Sequence, residues 1–199
     1  SIRGQIMSHF TYKRGQLFAE VVAVAALAER FCTPLFIYSR SHIQQQYRTL
    51  VRALRELHPL ICYSVKVNTS AAVISTLAAE GSGADVVSGG ELYRARAAGI
   101  PAERIAFAGV GMTEEEIAYA LKENILFFTV ESEQELERIS AVVKRLRRTA
   151  RVALRVRWRT NRLTSLTVFK TAIRPSSSST AAAGFFSFLR KSLSTLAAG

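Results

Sequence analysis

The 199-residue chain carries 27 Lys and Arg against 15 Asp and Glu, a formal net charge of +12, with 49% apolar and 21% charged residues. This is the composition of a globular chain, which excludes disordered and collagen-like classes, and no uninterrupted apolar run reaches the length of a membrane-spanning helix. Two cysteines, Cys32 and Cys62, are too few for a disulfide framework, so a reducing, cytoplasmic setting is expected. The charge is uneven: residues 1–137 hold 13 basic and 15 acidic groups, whereas residues 138–199 hold 14 basic groups and no acid. Such a stretch either meets a polyanion or is not an ordinary continuation of the domain before it.

Taken in chain order, short apolar runs rich in Val, Ile, Phe and Tyr fall at 33–38, 60–67, 84–87, 105–108, 126–130 and 152–156. Runs of this length with consecutive apolar positions read as strands covered on both faces. Helical patterns separate them. Residues 41–57 place Ile43, Tyr47, Leu50, Val51 and Leu54 on one face. Thr69 or Ser70 is placed to cap a helix through Val73, Ile74 and Leu77 that stops at Gly81. Thr113-Glu114-Glu115-Glu116 has capping-box spacing, and Ser132-Glu133-Gln134-Glu135 repeats it before Leu136, Ile139 and Val143. Alternating strands and helices with short connections predict a parallel sheet with helices outside it, and five or six units in a row favour a βα barrel. After Val156 the pattern stops: residues 157–199 contain 14 Ser or Thr, seven basic residues and no acid. There, 184–196 has the spacing of a short basic amphipathic helix, behind a linker expected to be disordered.

Lys66 ends the otherwise apolar run Leu60-Ile61-Cys62-Tyr63-Ser64-Val65. The C-terminal mouth of a parallel strand is where βα folds place chemical groups, and partial desolvation there favours the free amine that Schiff-base chemistry needs. The alternative is a lysine that snorkels from a strand end into solvent. The second feature, Gly81-Ser82-Gly83-Ala84-Asp85-Val86-Val87-Ser88-Gly89-Gly90-Glu91, contains the sole aspartate and glycines before a helix start, where backbone N–H groups are able to approach an anion. It lacks the spacing of a dinucleotide fingerprint or a P-loop. Ala108-Gly109-Val110-Gly111 reads the same way. His9, His42 and His58 are scattered, without metal-ligand spacing, and no zinc or Ser–His–Asp pattern stands out. The basic run Lys144, Arg145, Arg147 and Arg148 suits a helix C-terminus.

These segments together resemble one family, the diaminopimelate decarboxylases, pyridoxal-phosphate-dependent enzymes of the alanine-racemase-like fold. The resemblance runs from Phe10-Thr11-Tyr12 through Thr33-Pro34-Leu35-Phe36-Ile37-Tyr38-Ser39 and Cys62-Tyr63-Ser64-Val65-Lys66-Val67-Asn68. It is most specific at Gly83-Ala84-Asp85-Val86-Val87-Ser88-Gly89-Gly90-Glu91-Leu92, and continues at Phe107-Ala108-Gly109-Val110-Gly111 and Ala150-Arg151-Val152-Ala153-Leu154-Arg155-Val156. The resemblance implies a partial (β/α)8 barrel over 10–156, lacking the family's C-terminal β-domain. It implies that Lys66 holds pyridoxal 5'-phosphate, that Asp85 and Arg155 support the cofactor, and that Asn68 and Ser88 stand near it. It further implies decarboxylation of meso-2,6-diaminopimelate to L-lysine, the last step of lysine biosynthesis, in a homodimer, with no specific nucleic-acid or membrane partner.

Family members are about twice this length, and nothing in 157–199 matches them. The expectation is therefore an N-terminal extension over 1–9, a barrel portion over 10–156, and a basic Ser/Thr-rich tail over 157–199 arising from a shifted reading frame or a gene-level truncation. The expected consequence is little or no decarboxylase activity from this polypeptide alone. The alternatives are a decarboxylase of ornithine, arginine or carboxynorspermidine, a non-catalytic pyridoxal-phosphate-binding fragment, or a basic tail that binds nucleic acid or an anionic membrane surface.

Overall fold

The computed structural model describes residues 9–156 and 166–176. An antiparallel three-stranded sheet opens the chain: β1 (Phe10–Lys13), β2 (Gln16–Ala19) and β3 (Val22–Ala23), followed by α1 (Val24–Phe31). Residues 33–38, expected as a strand, bend at 33–34 and lead into α2 (Arg40–Ala53) without entering a ladder. Their β-type residues lack a described partner strand, and side-chain propensity alone does not make one. Helix α2 starts at Ser39, whose hydroxyl accepts from His42 N–H, and ends in a 3-10 turn at Arg55–Leu57.

From here the chain alternates strictly. Strands β4 (Cys62–Ser64), β5 (Gly83–Val86), β6 (Ile105–Phe107), β7 (Phe127–Val130) and β8 (Ala150–Val156) are joined by α3 (Ala71–Ala79), α4 (Gly89–Ala97), α5 (Glu114–Glu123) and α6 (Glu133–Leu146). All four pairings from β4 to β8 are parallel, and spatial order follows chain order. Order without reversal separates a barrel-type sheet from a doubly wound one, which turns back at a switch point. Consecutive crossovers of one hand then set the helices on one face only.

Burial shows the two faces. Ala84, Val86, Ile105, Phe107, Phe128, Val130 and Val152 pack against Ile74 of α3, Leu92 of α4, Ile117 of α5 and Ile139 of α6 in one continuous core. The Phe107 and Phe128 rings lie 6.1 Å apart inside it. Residues one step out of phase in the strands point to the opposite face, as the two-residue period requires. That face carries Cys62, Asp85, Ala106, Phe127, Thr129 and Arg155. The architecture is α/β, with a parallel sheet covered on one side.

One strand departs from this plan. β9 (Leu166–Ile173) pairs antiparallel with β8, from Ala150 opposite Ile173 to Val156 opposite Leu166, with an irregularity between Leu154 and Arg155. It lies within the stretch for which disorder was expected, and its Ile173 is buried in the core. A further parallel strand is not what covers the β8 edge; an antiparallel one does. Residues 1–8 and the 184–196 segment lie outside the described residues. Among the described residues, no helix is long and apolar enough to cross a membrane.

Candidate active site

Lys66 lies in the 3-10 turn Val65–Val67 that follows β4 at its C-terminal end. The turn is anchored by Val65, which is fully buried, so the adjacent Lys66 faces outward. Tyr63 OH donates to the Asn68 carbonyl at 3.0 Å and closes the turn over the strand end. Asp85 projects from β5 and Arg155 from β8. All three line one cavity of about 350 Å³ with Cys62, Ala106, Ala108, Phe127 and Thr129. Residues far apart in the chain are thus brought together by strand order, and small side chains on β6 leave the space between them.

Asp85 is half-buried, and that burial pushes its carboxyl above the usual carboxylate range. A hydrogen bond from Ser64 Oγ to Asp85 Oδ2 at 3.2 Å opposes the rise, as do the positive charges of Lys66 and Arg155. Arg155 Nη1 reaches Glu131 Oε1 at 3.0 Å, so its guanidinium is oriented from the end of β7. Burial also pushes the Cys62 thiol up, with Asp85 adding to the effect and Arg104 opposing it. Cys62 is therefore a neutral neighbour of the cavity and a poor nucleophile. Lys66 itself is exposed. The partial desolvation expected for it is not seen, because the turn carries it beyond the strand end rather than into the sheet.

The glycine-rich turns behave differently from the anion-binding reading. Val87 N–H donates to Glu91 Oε2 at 2.9 Å, and Gly89 N–H donates to Glu116 Oε1 at 2.8 Å. Glu116 Oε2 also accepts from Thr113 N–H at 3.0 Å and completes the expected capping box of α5. Glu135 accepts from Glu131 N–H at 2.8 Å and from Gly111 N–H at 3.4 Å. Helices α4, α5 and α6 thus each bring a carboxylate to backbone N–H groups of the βα turns at this end of the sheet. The Val87, Gly89 and Gly111 amides are already engaged, and these turns hold the mouth in shape instead of presenting a phosphate cradle.

Two further expectations are redirected. Asn68 Oδ1 accepts from Ser70 N–H at 2.9 Å and shapes the entry to α3, and Ser88 Oγ accepts from Glu91 N–H at 3.2 Å as the cap of α4. Neither lines the cavity. Conversely, Cys62, Ser64, Phe127 and Thr129 were not singled out from sequence. The available signal was the two-residue period running back from Lys66 and aligned on Asp85.

The site suits a pyridoxal ring and its aldehyde. An accessible primary amine stands at the edge of a cavity floored by Ala106 and Ala108, with the Phe127 ring, a carboxylate and a guanidinium around it.

The chain is similar to known proteins over most of its described residues. Residues 40–171 match the family model described as pyridoxal-dependent decarboxylase, pyridoxal binding domain. A diaminopimelate decarboxylase of Pseudomonas fluorescens is 47% identical over 151 residues, covering 75% of this chain and 36% of the relative. The crystal structure of the diaminopimelate decarboxylase from M. jannaschii superposes with a TM-score of 0.73 at 36% identity, covering 76% of this chain and 36% of that one. The same enzyme in complex with L-lysine gives a TM-score of 0.70 at 36% identity, with 73% and 36% covered. The chain therefore spans about 36% of the length of these relatives. With the fold, the lysine-bearing cavity and a family model covering most of its residues in agreement, the chain belongs to the pyridoxal-dependent decarboxylase family.

Proposed function

We propose that this chain is the pyridoxal-phosphate-binding portion of a decarboxylase acting on meso-2,6-diaminopimelate, with L-lysine as product. The observation that carries the reading is the convergence of Lys66, Asp85 and Arg155, from three separate strand ends, on one cavity. When bound, pyridoxal 5'-phosphate supplies an electron sink for the pair left behind as CO₂ departs. Lys66 provides the amine that holds the cofactor's aldehyde. Asp85 sets a carboxyl beside Lys66 in the cavity, and Arg155, steadied by Glu131, offers a cation to an anionic group of cofactor or substrate. The choice of diaminopimelate over ornithine or arginine is supported by the names of the relatives at 40–47% identity.

The wider setting belongs to the same reading. Phe36, Val67 and Val110 are large exposed apolar residues, the last two beside the mouth after β4 and β6, and a second copy of the chain is the cover that we propose for them. The free thiols Cys32 and Cys62 suit a cytoplasmic location.

The experiment is a titration of the 199-residue chain with pyridoxal 5'-phosphate, followed by visible absorbance. Saturable uptake that disappears in Lys66→Ala, and that meso-diaminopimelate disturbs while ornithine does not, is expected. CO₂ release by the chain alone is expected to be slight. Uptake unchanged in Lys66→Ala would overturn the assignment of the site.

A further inference from the structure

Ser64 and Asp85 are opposite one another in the parallel register of β4 and β5. Asp85's partner on its other side is Ala106, which offers it no side-chain hydrogen bond. Among the described residues, the donor to the Asp85 side chain is the Ser64 hydroxyl, at 3.2 Å from Oδ2. That bond engages one carboxylate oxygen along the sheet and leaves the other to the cavity that Asp85 lines. The charged and titratable groups facing this carboxylate are Lys66 from the turn after β4, Arg155 from β8 with its partner Glu131, and the Cys62 thiol. The position of a half-buried carboxylate among two cations decides how strongly it acts on each, because Coulomb attraction in such a site is steep with distance.

We propose that Ser64 is a positioning residue: its hydroxyl fixes the Asp85 carboxylate against Lys66 and sets the charge that Lys66 meets across the cavity. The functional consequence rests on Lys66 being the cofactor-holding amine, but the positioning itself is observable without cofactor. Asp85 is the sole aspartate in the chain. Biosynthetic labelling with carboxyl-¹³C aspartate therefore gives one aspartate carboxyl resonance whose shift can be followed through a pH titration.

A hydrogen bond donated to a carboxylate favours its charged form, so losing it raises proton affinity. In Ser64→Ala the Asp85 midpoint is expected to move upward, a several-fold gain in proton affinity. Ser64→Thr retains the hydroxyl and is expected to titrate like the native chain, and Ser64→Cys, a weak donor, is expected to fall between them. The Cys and Thr variants keep the test decisive even if the Ala variant folds poorly. A midpoint in Ser64→Ala or Ser64→Cys equal to the native one, or a Thr variant displaced as far as the Ala variant, would overturn the proposal. Added pyridoxal 5'-phosphate is expected to move the Asp85 resonance more in the native chain than in Ser64→Ala, and equal movement in both also counts against it. No movement in any chain refutes the functional reading instead, and the titration then decides the role of Ser64 by itself.

Discussion

Gly109 gives a quantitative test of how the mouth of the sheet is packed. A Cβ at this position would lie 2.5 Å from the Val87 carbonyl oxygen, 3.1 Å from the Val87 carbonyl carbon and 3.0 Å from Phe107 Cε1. None of these atoms is free to retreat. Val87 N–H is held by Glu91 at 2.9 Å, the neighbouring Val86 carbonyl accepts from Ala108 N–H at 2.8 Å, and Phe107 is fully buried against Phe128. Gly109→Ala therefore forces the turns after β5 and β6 apart. Overpacking of this kind costs about 1–3 kcal/mol. The reduced entropy of the unfolded chain offsets about 0.4–1 kcal/mol of it. The difference is centred slightly above about 1 kcal/mol, a fall in melting temperature of roughly 2–5 °C for a domain of this size. Thermal unfolding followed by circular dichroism measures it. Gly90→Ala is the matched control, because its Cβ would meet only Ser88 Oγ at 3.9 Å, an ordinary contact at a helix start. A Gly109→Ala chain melting at or above the native temperature would refute the packing argument.

Two further predictions probe the core and the N-terminal sheet. Phe128 is 1% exposed in the centre of the core, so Phe128→Ala is expected to lose about 3–5 kcal/mol in urea unfolding; a loss below about 1 kcal/mol would place Phe128 outside the core. Glu20 joins β2 and β3 to the start of α2, and its carboxyl is held down to about 2, first by the Ser39 hydroxyl and then by the Ser41 amide and hydroxyl, with His9 beside them. Because the folded state binds this proton more weakly than the unfolded one, its contribution is present above the ordinary carboxylate range and is lost as pH falls toward about 2. The stability gap between the native chain and Glu20→Gln is accordingly expected to close over that window, and a gap of constant size would contradict the pairing.

Much of the barrel portion was legible in the sequence because each element announces itself locally. The Thr113 and Ser132 caps sit three residues before glutamates that the helices use, and the apolar runs of β5 to β8 match strands to within two or three residues at each end. Lys66 stood out as a charge ending an apolar run and Asp85 as the sole aspartate, whereas Arg155 was picked out by the family resemblance alone. Pairing at a distance was less visible. Glu116 reaches Gly89 and Glu135 reaches Gly111 across 27 and 24 residues, a link that no spacing rule within one element reveals. Residues 33–38 have strand composition without a ladder, whereas β9 has a ladder within a stretch whose Ser, Thr and basic residues masked its β-branched ones. Ser64 escaped notice because its role is defined by the strand beside it rather than by its own neighbours in sequence.

Everything proposed for the cavity depends on Lys66 being the amine that holds pyridoxal 5'-phosphate. Borohydride reduction of the chain incubated with the cofactor, followed by proteolysis and mass spectrometry, tests it most directly. One dominant modified lysine, Lys66, is expected, with its loss in Lys66→Met while the variant keeps the native circular dichroism spectrum. Modification spread evenly over Lys13, Lys122 and the other lysines, with Lys66 no more reactive than they are, would contradict it.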